Sequence, residues 1–209
     1  MSLHRCLAVL ASLLIALGAL PARAQNAVTL YGGYAWGGSF EQTGNTSSTA
    51  DLGSSAAGAA ALDWKLDAAR NMQLFASYQR ATMDLPPGAV APGGPNSVSL
   101  NLSYLHIGGS NFFEGVAGRG AYLAGGLGAT FMSPGSDGLS SEVRPSLSIA
   151  LGYEYMVNPS LALRAELRGF ATLINSNGGF FCSGGCVVAL QGDALVQGQA
   201  LVGLSLRYL

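Results

Sequence analysis

The sequence predicts an all-β fold, a transmembrane eight-stranded antiparallel up-and-down β-barrel. Three observations carry the prediction. The first is strict alternation after Glu142: Val143, Pro145, Leu147, Ile149, Leu151, Tyr153 and Tyr155 share one parity, while Glu142, Arg144, Ser146, Ser148, Ala150, Gly152 and Glu154 share the other. Successive side chains point to opposite faces in a strand, so period two marks one. Asn158-Pro159-Ser160 interrupts with turn chemistry, and Leu161, Leu163, Ala165 and Leu167 then alternate with Arg164, Glu166 and Arg168. These runs exceed the roughly 5–6 residues of an ordinary strand. They suit the roughly 9–11 residues that a tilted strand needs to cross a bilayer.

The second observation is compositional. The chain is 49% hydrophobic and only 10% charged, with 30 glycines, yet beyond its N-terminal stretch no unbroken apolar run is long enough for a spanning helix. The apolar residues are spread over alternate positions, as a barrel wall requires. A net charge of −1 and the lack of a basic cluster with interleaved aromatics give no reason to expect nucleic acid. The third observation is an alternation of connections: the first, third, fifth and seventh are long or rich in Gly, Pro and Ser, while the second and sixth are tight. Outer-membrane barrels have short periplasmic turns and longer extracellular loops.

Residues 1–24 are expected to be a cleaved signal peptide, with Arg5 in the n-region, Cys6 to Leu20 as the apolar stretch and Ala22-Arg23-Ala24 as the cleavage site. Residues 25–209 then form one domain. From Ala27 the first strand places Val28, Leu30, Tyr34 and Trp36 on one parity, and Ser39 to about Ser55 reads as a long polar loop. Ala56 to Leu66 directs Leu62, Trp64 and Leu66 to lipid, and Asp63 and Lys65 inward. Met72 to Ala81 follows a short turn, and Met83 to Asn96 is the next loop. Ser97 to Ile107 is expected to present Val98, Leu100, Leu102 and Tyr104 to lipid, with His106 on the same parity near the periplasmic end. Gly108 to Gly118 reads as a connection. Arg119 to Phe131 is a strand of ambiguous facing, whose Gly125, Gly126 and Gly128 mark a bend or close packing. Ser133 to Ser140 is a loop, the alternating hairpin supplies two strands, Asn175 to about Gln191 is a loop, and the last strand runs from about Asp193. An even strand count places both ends in the periplasm.

In the final strand Ala200, Val202, Leu204, Leu206 and Tyr208 alternate with Leu201, Gly203, Ser205 and Arg207. This resembles the C-terminal signal of outer-membrane barrels, although the aromatic stands one place before the end. Signal peptide, strands, loop asymmetry and this pattern together resemble the small eight-stranded Gram-negative barrels of the OmpA, OmpX and OmpW types. The stretch GYEYMVNPSLALRAELRGF, Gly152 to Phe170, is most similar to OmpA-like barrel domains. The resemblance implies an integral outer-membrane protein without cofactors. Its partners would be outer-membrane lipid and lipopolysaccharide, with the barrel-assembly machinery engaging the last strand. Its role would be structural, or surface interaction through extracellular loops. The alternatives are a narrow channel for small or hydrophobic solutes, as in OmpW-like barrels, and a lipid-modifying enzyme. A soluble lipocalin-like barrel would need the opposite facing of the two parities.

The inward set is Asp63, Lys65, Arg144, Glu154, Arg164, Glu166, Arg168 and Arg207. It is expected to form an ion-pair core, because unpaired charges in a narrow lumen are costly and eight strands enclose little more than their own side chains. A polar conduit or an anion pocket is the alternative. Cys182 and Cys186 are expected to form a disulfide across a surface loop, since they would be the two cysteines of the exported chain after cleavage and no histidine lies nearby for a metal. No catalytic, metal or cofactor residue is assigned, and His106 lacks evident Ser and acid partners. Trp36, Tyr78 and Phe131 are expected in an outer aromatic girdle, with Trp64, Tyr104, Tyr153 and Tyr155 in an inner one. Arg80 falls near the outer rim, where lipopolysaccharide phosphate and simple snorkelling explain it equally.

Overall fold

Alternation of small or apolar with polar residues along nearly every strand produces a sheet that closes on itself. The structure, a computed structural model, describes residues 26–42, 48–84, 97–135, 141–174 and 194–208. The strands are β1 (Asn26–Trp36), β2 (Ser39–Gln42), β3 (Ser48–Asp51), β4 (Ser55–Lys65), β5 (Arg70–Asp84), β6 (Ser97–Phe112), β7 (Gly120–Pro134), β8 (Glu142–Asn158), β9 (Leu161–Leu173) and β10 (Ala194–Tyr208). Eight of them form a closed barrel in the order β1-β10-β9-β8-β7-β6-β5-β4, every neighbour antiparallel. One row of paired residues leads from Gln79 through Ala57, Gly33, Leu201, Glu166, Gly152 and Tyr122 to Phe112, whose amide bonds Ala69 O. A circuit therefore moves from residue 79 to residue 69, a stagger of ten that tilts the strands against the barrel axis.

The outer face carries Leu30, Leu127, Leu147, Ile149, Leu167 and Leu204, all well exposed. Trp36, Tyr78 and Phe131 are exposed where this apolar belt ends on one side, and Tyr153, Tyr155 and Tyr208 where it ends on the other. Arg70 and Arg80 bracket the belt on β5. Ten residues of tilted strand separate them, about 25 Å along the axis, which matches the apolar band of a membrane barrel.

Three expectations are corrected. Ser39 to Ser55 is not wholly loop: β2 and β3 pair as a small hairpin, and Leu52 bridges to Met83. The fourth connection is only Phe113 to Arg119, because β6 continues to Phe112 and pairs with β7 from Leu100 to that residue. The facing of β6 is the reverse of the expected one: Val98, Leu100, Leu102, Tyr104 and His106 are buried inside, while Leu105 and Ile107 are exposed. Its upper half rises beyond the girdle level marked by Tyr78 and Phe131, both paired with Ser103. There the rule for a water-exposed barrel applies, with grease inside and Ser97, Ser99 and Asn101 outside. Tyr104 accordingly belongs to the core and not to a girdle.

The glycine-rich β7 turns Tyr122, Ala124, Thr130 and Met132 inward and Leu123, Leu127 and Phe131 outward. Its glycines meet the neighbouring strand closely: a Cβ on Gly128 would collide with Leu105 O and the His106 ring. Gly152 likewise leaves room for the Tyr122 ring, and Gly203 for Tyr31.

Candidate functional site

The lumen is the place where polar groups converge, and the tilted register stacks them in layers. At the end of the barrel where β1 begins and β10 ends, Arg164 Nη1 lies 2.5 Å from Asp63 Oδ2 and donates to Thr29 Oγ1 at 3.2 Å. Its Nε is 3.4 Å from Glu154 Oε2 and donates to Tyr122 Oη at 3.3 Å. Arg168 Nε donates to Glu166 Oε1 (2.7 Å) and its Nη2 to Gln73 Oε1 (2.9 Å). Gln73 Nε2 returns to Asp63 Oδ1 at 2.9 Å, and the Tyr122 hydroxyl donates to Glu166 Oε2 at 2.7 Å. Arg164, Asp63, Gln73, Arg168, Glu166 and Tyr122 thus close a hydrogen-bonded ring.

Arg207 extends the ring towards the mouth, reaching Glu154 Oε1 at 2.6 Å and the carbonyl of Gly118. Three guanidiniums (Arg164, Arg168, Arg207) face three carboxylates (Asp63, Glu154, Glu166), so the cluster is neutral by formal charge. Burial of this many ions is tolerable only because each is paired and hydrogen-bonded.

Two members of the sequence-derived set lie elsewhere. Lys65 is half-buried at the mouth, lining a cavity of about 10 Å³ with Asp63, Glu154 and Arg207. That is room for about one water molecule. Arg144 is at the opposite rim, bonded through Nη2 to Glu142 Oε2 at 2.7 Å. Cys182 and Cys186 lie outside the described residues.

Above the ring, His106 Nδ1 and Nε2 lie 2.8 Å from Ser148 Oγ and Ser146 Oγ. Arg168 Nη1 donates to the same Ser148 oxygen at 3.1 Å, tying β6 to the network. His106 therefore has serine partners after all, which its reversed facing supplies. With both ring nitrogens occupied by serines, no carboxylate orients the imidazole as a nucleophile-activating base requires. Residue 106 is also 1% exposed.

Higher still, Ser77 Oγ donates to Gln199 Oε1, Gln199 Nε2 to Gln79 Oε1, and Gln79 Nε2 to Gln197 Oε1, over 2.9–3.2 Å. The Tyr104 hydroxyl also meets Gln197, and its ring stacks on Phe170 at 4.1 Å. Leu52, Met83, Leu100, Leu102, Met132 and Leu195 fill the outer end. The other end is covered by the Phe113 to Arg119 turn, where Ala117 N bonds Ala68 O. Sequence reasoning missed Gln73, Tyr122, Ser146 and Ser148. Each has the inward parity, but uncharged side chains do not stand out from a strand pattern. Tyr122 was also hidden by the ambiguous facing of β7.

Solved structures share this architecture. Neisserial surface protein A matches with a TM-score of 0.55 and 13% identity, over 88% of this chain and 97% of that one. The outer membrane protein OprG from Pseudomonas aeruginosa matches with 0.54 and 13%, over 89% and 97%. The outer membrane protein AlkL matches with 0.53 and 11%, over 90% and 95%. No family model and no curated protein sequence matches the chain. The fold is that of the small eight-stranded outer-membrane barrels.

Proposed function

We propose that this chain is a non-enzymatic integral outer-membrane protein, exported by cleavage after Ala24, whose barrel serves as a rigid mount for its extracellular loops. The observation that carries this reading is the lumen, which side chains occupy from the Phe113–Arg119 turn to the leucine and methionine layer. Among the described residues, an apolar plug at one end and a neutral ion-pair ring at the other fill the lumen. A narrow channel is therefore the weaker reading, and catalysis at His106 lacks both an orienting acid and space for substrate.

The first test is the mobility of the detergent-extracted protein on a gel. A heat-modifiable band from the membrane fraction is expected; a soluble, unshifted protein would sink the reading. In planar bilayers the purified barrel should stay silent at every voltage, and steady unitary currents would favour the channel instead. Lipid A from cells overexpressing it should be unaltered in mass.

A further inference from the structure

On the outer face, Gly109 of β6 and Gly125 of β7 stand opposite each other. They floor a groove of about 780 Å³ walled by Ile107, Leu123, Leu127 and Ile149, within the roughly 300–1,000 Å³ of ligand clefts. At its lower end is Arg70. Arg70 is half of an exposed ion pair: its Nε and Nη2 lie 2.6 and 2.5 Å from Asp67 Oδ2. From Arg70 to Leu127 the groove climbs about 15 Å along tilted strands, half of the roughly 30 Å hydrocarbon core. Its mouth is therefore at headgroup level and its body runs beside the acyl chains of one leaflet.

We propose that this groove binds a single phospholipid with a zwitterionic aminophosphate head, one acyl chain lying over Gly109 and Gly125, its phosphate at Arg70 and its ammonium at Asp67. The proposal rests on the outer-membrane reading above. Charge complementarity selects the head: a guanidinium and a carboxylate held side by side match a phosphate and an ammonium two carbons apart. An anionic head without the ammonium would satisfy Arg70 while opposing Asp67. The two glycines select the chain, since side chains at both positions would occupy the path it follows.

The full-length protein, extracted into nanodiscs of mixed phosphatidylethanolamine and phosphatidylglycerol, is examined by native mass spectrometry as the lipid is stripped. One phosphatidylethanolamine should be retained, favoured over phosphatidylglycerol by about tenfold, equivalent to about 1.4 kcal/mol. Gly125→Leu should lose it. A Cβ there meets only Ser148 O, at 3.4 Å, so the variant has space to fold. Asp67→Asn, in an exposed turn, should keep a lipid and lose the preference between heads, which decides the matter if Gly125→Leu does not fold. Equal retention by folded Gly125→Leu, no headgroup preference in the unmodified protein, or a second copy of the chain in place of lipid overturns the proposal. Absence of a heat-modifiable barrel would instead overturn the outer-membrane reading, which lipid retention does not test.

Discussion

Arg164 is the residue on which the lumen turns, because it touches β1, β4, β7 and β8 from its place on β9. Arg164→Met keeps much of the bulk and strands Asp63 as a buried anion held only by Gln73, while Glu154 keeps its bond from Arg207. The expected loss is about 3–5 kcal/mol of unfolding free energy, the usual penalty for removing one partner of a buried pair. Urea titration in lipid vesicles measures it, and Arg164→Met combined with Asp63→Leu should recover part of the loss. A change below about 1 kcal/mol would show that the ring contributes little. Asp67 behaves differently because it is exposed. Its bond from Arg70 holds the carboxyl below its usual value of 3.8. A depressed folded value means that any stability from this pair is fully present above the unfolded value and disappears as pH falls through the folded one. The unfolding midpoint of Asp67→Asn should therefore match that of the unmodified protein most closely in acid, with any difference emerging as pH rises to 5.

At the scale of the element, β6 and β7 form the most closely fitted seam of the wall. Gly128→Val should fail to give the heat-modifiable band, since the new side chain collides with Leu105 O and the His106 ring, whereas Gly125→Leu should give it. Equal yields of the two folded variants would mean that the seam relaxes freely. The same strands show what the sequence reveals and what it hides. β8 was legible because one rule, lipid outside, governs Val143 through Tyr155. β6 was not, because two solvents act on it: its lower half meets hydrocarbon and its upper half meets water, so Leu102 and Ile107 are both apolar and face opposite ways. The acidic and basic members of the ring announced themselves by charge in alternating positions. Gln73 and Ser148 were silent for want of any feature beyond parity. His106 was misplaced because its facing followed the apolar set on its own strand.

Across the whole molecule, the belt between Arg70 and Arg80 and the closed order of eight strands leave no unpaired edge in the barrel wall. The interior bonds link all eight wall strands, β6 joining through His106 and Ser148. Loss of one strand's contacts is therefore felt by the others, and unfolding should be a single transition. Tryptophan fluorescence, reporting Trp36 and Trp64 at opposite ends of the wall, and far-ultraviolet circular dichroism should give coincident midpoints in urea. Separate midpoints would mean that the apolar outer layers and the ionic ring unfold independently.

Above the girdle, β5 and β6 stay paired as far as Asp84 and Ser97, and β7 follows to Pro134, with Ser99 and Asn101 turned outward and Leu100 and Leu102 inward. Three to six further residues of tilted strand add about 7–15 Å of height. In an outer membrane that collar acts as a pedestal. It sets the polar faces of β5 to β7 clear of the aromatic girdle, so the barrel mouth is walled by paired sheet there and by the β2–β3 hairpin beyond β1.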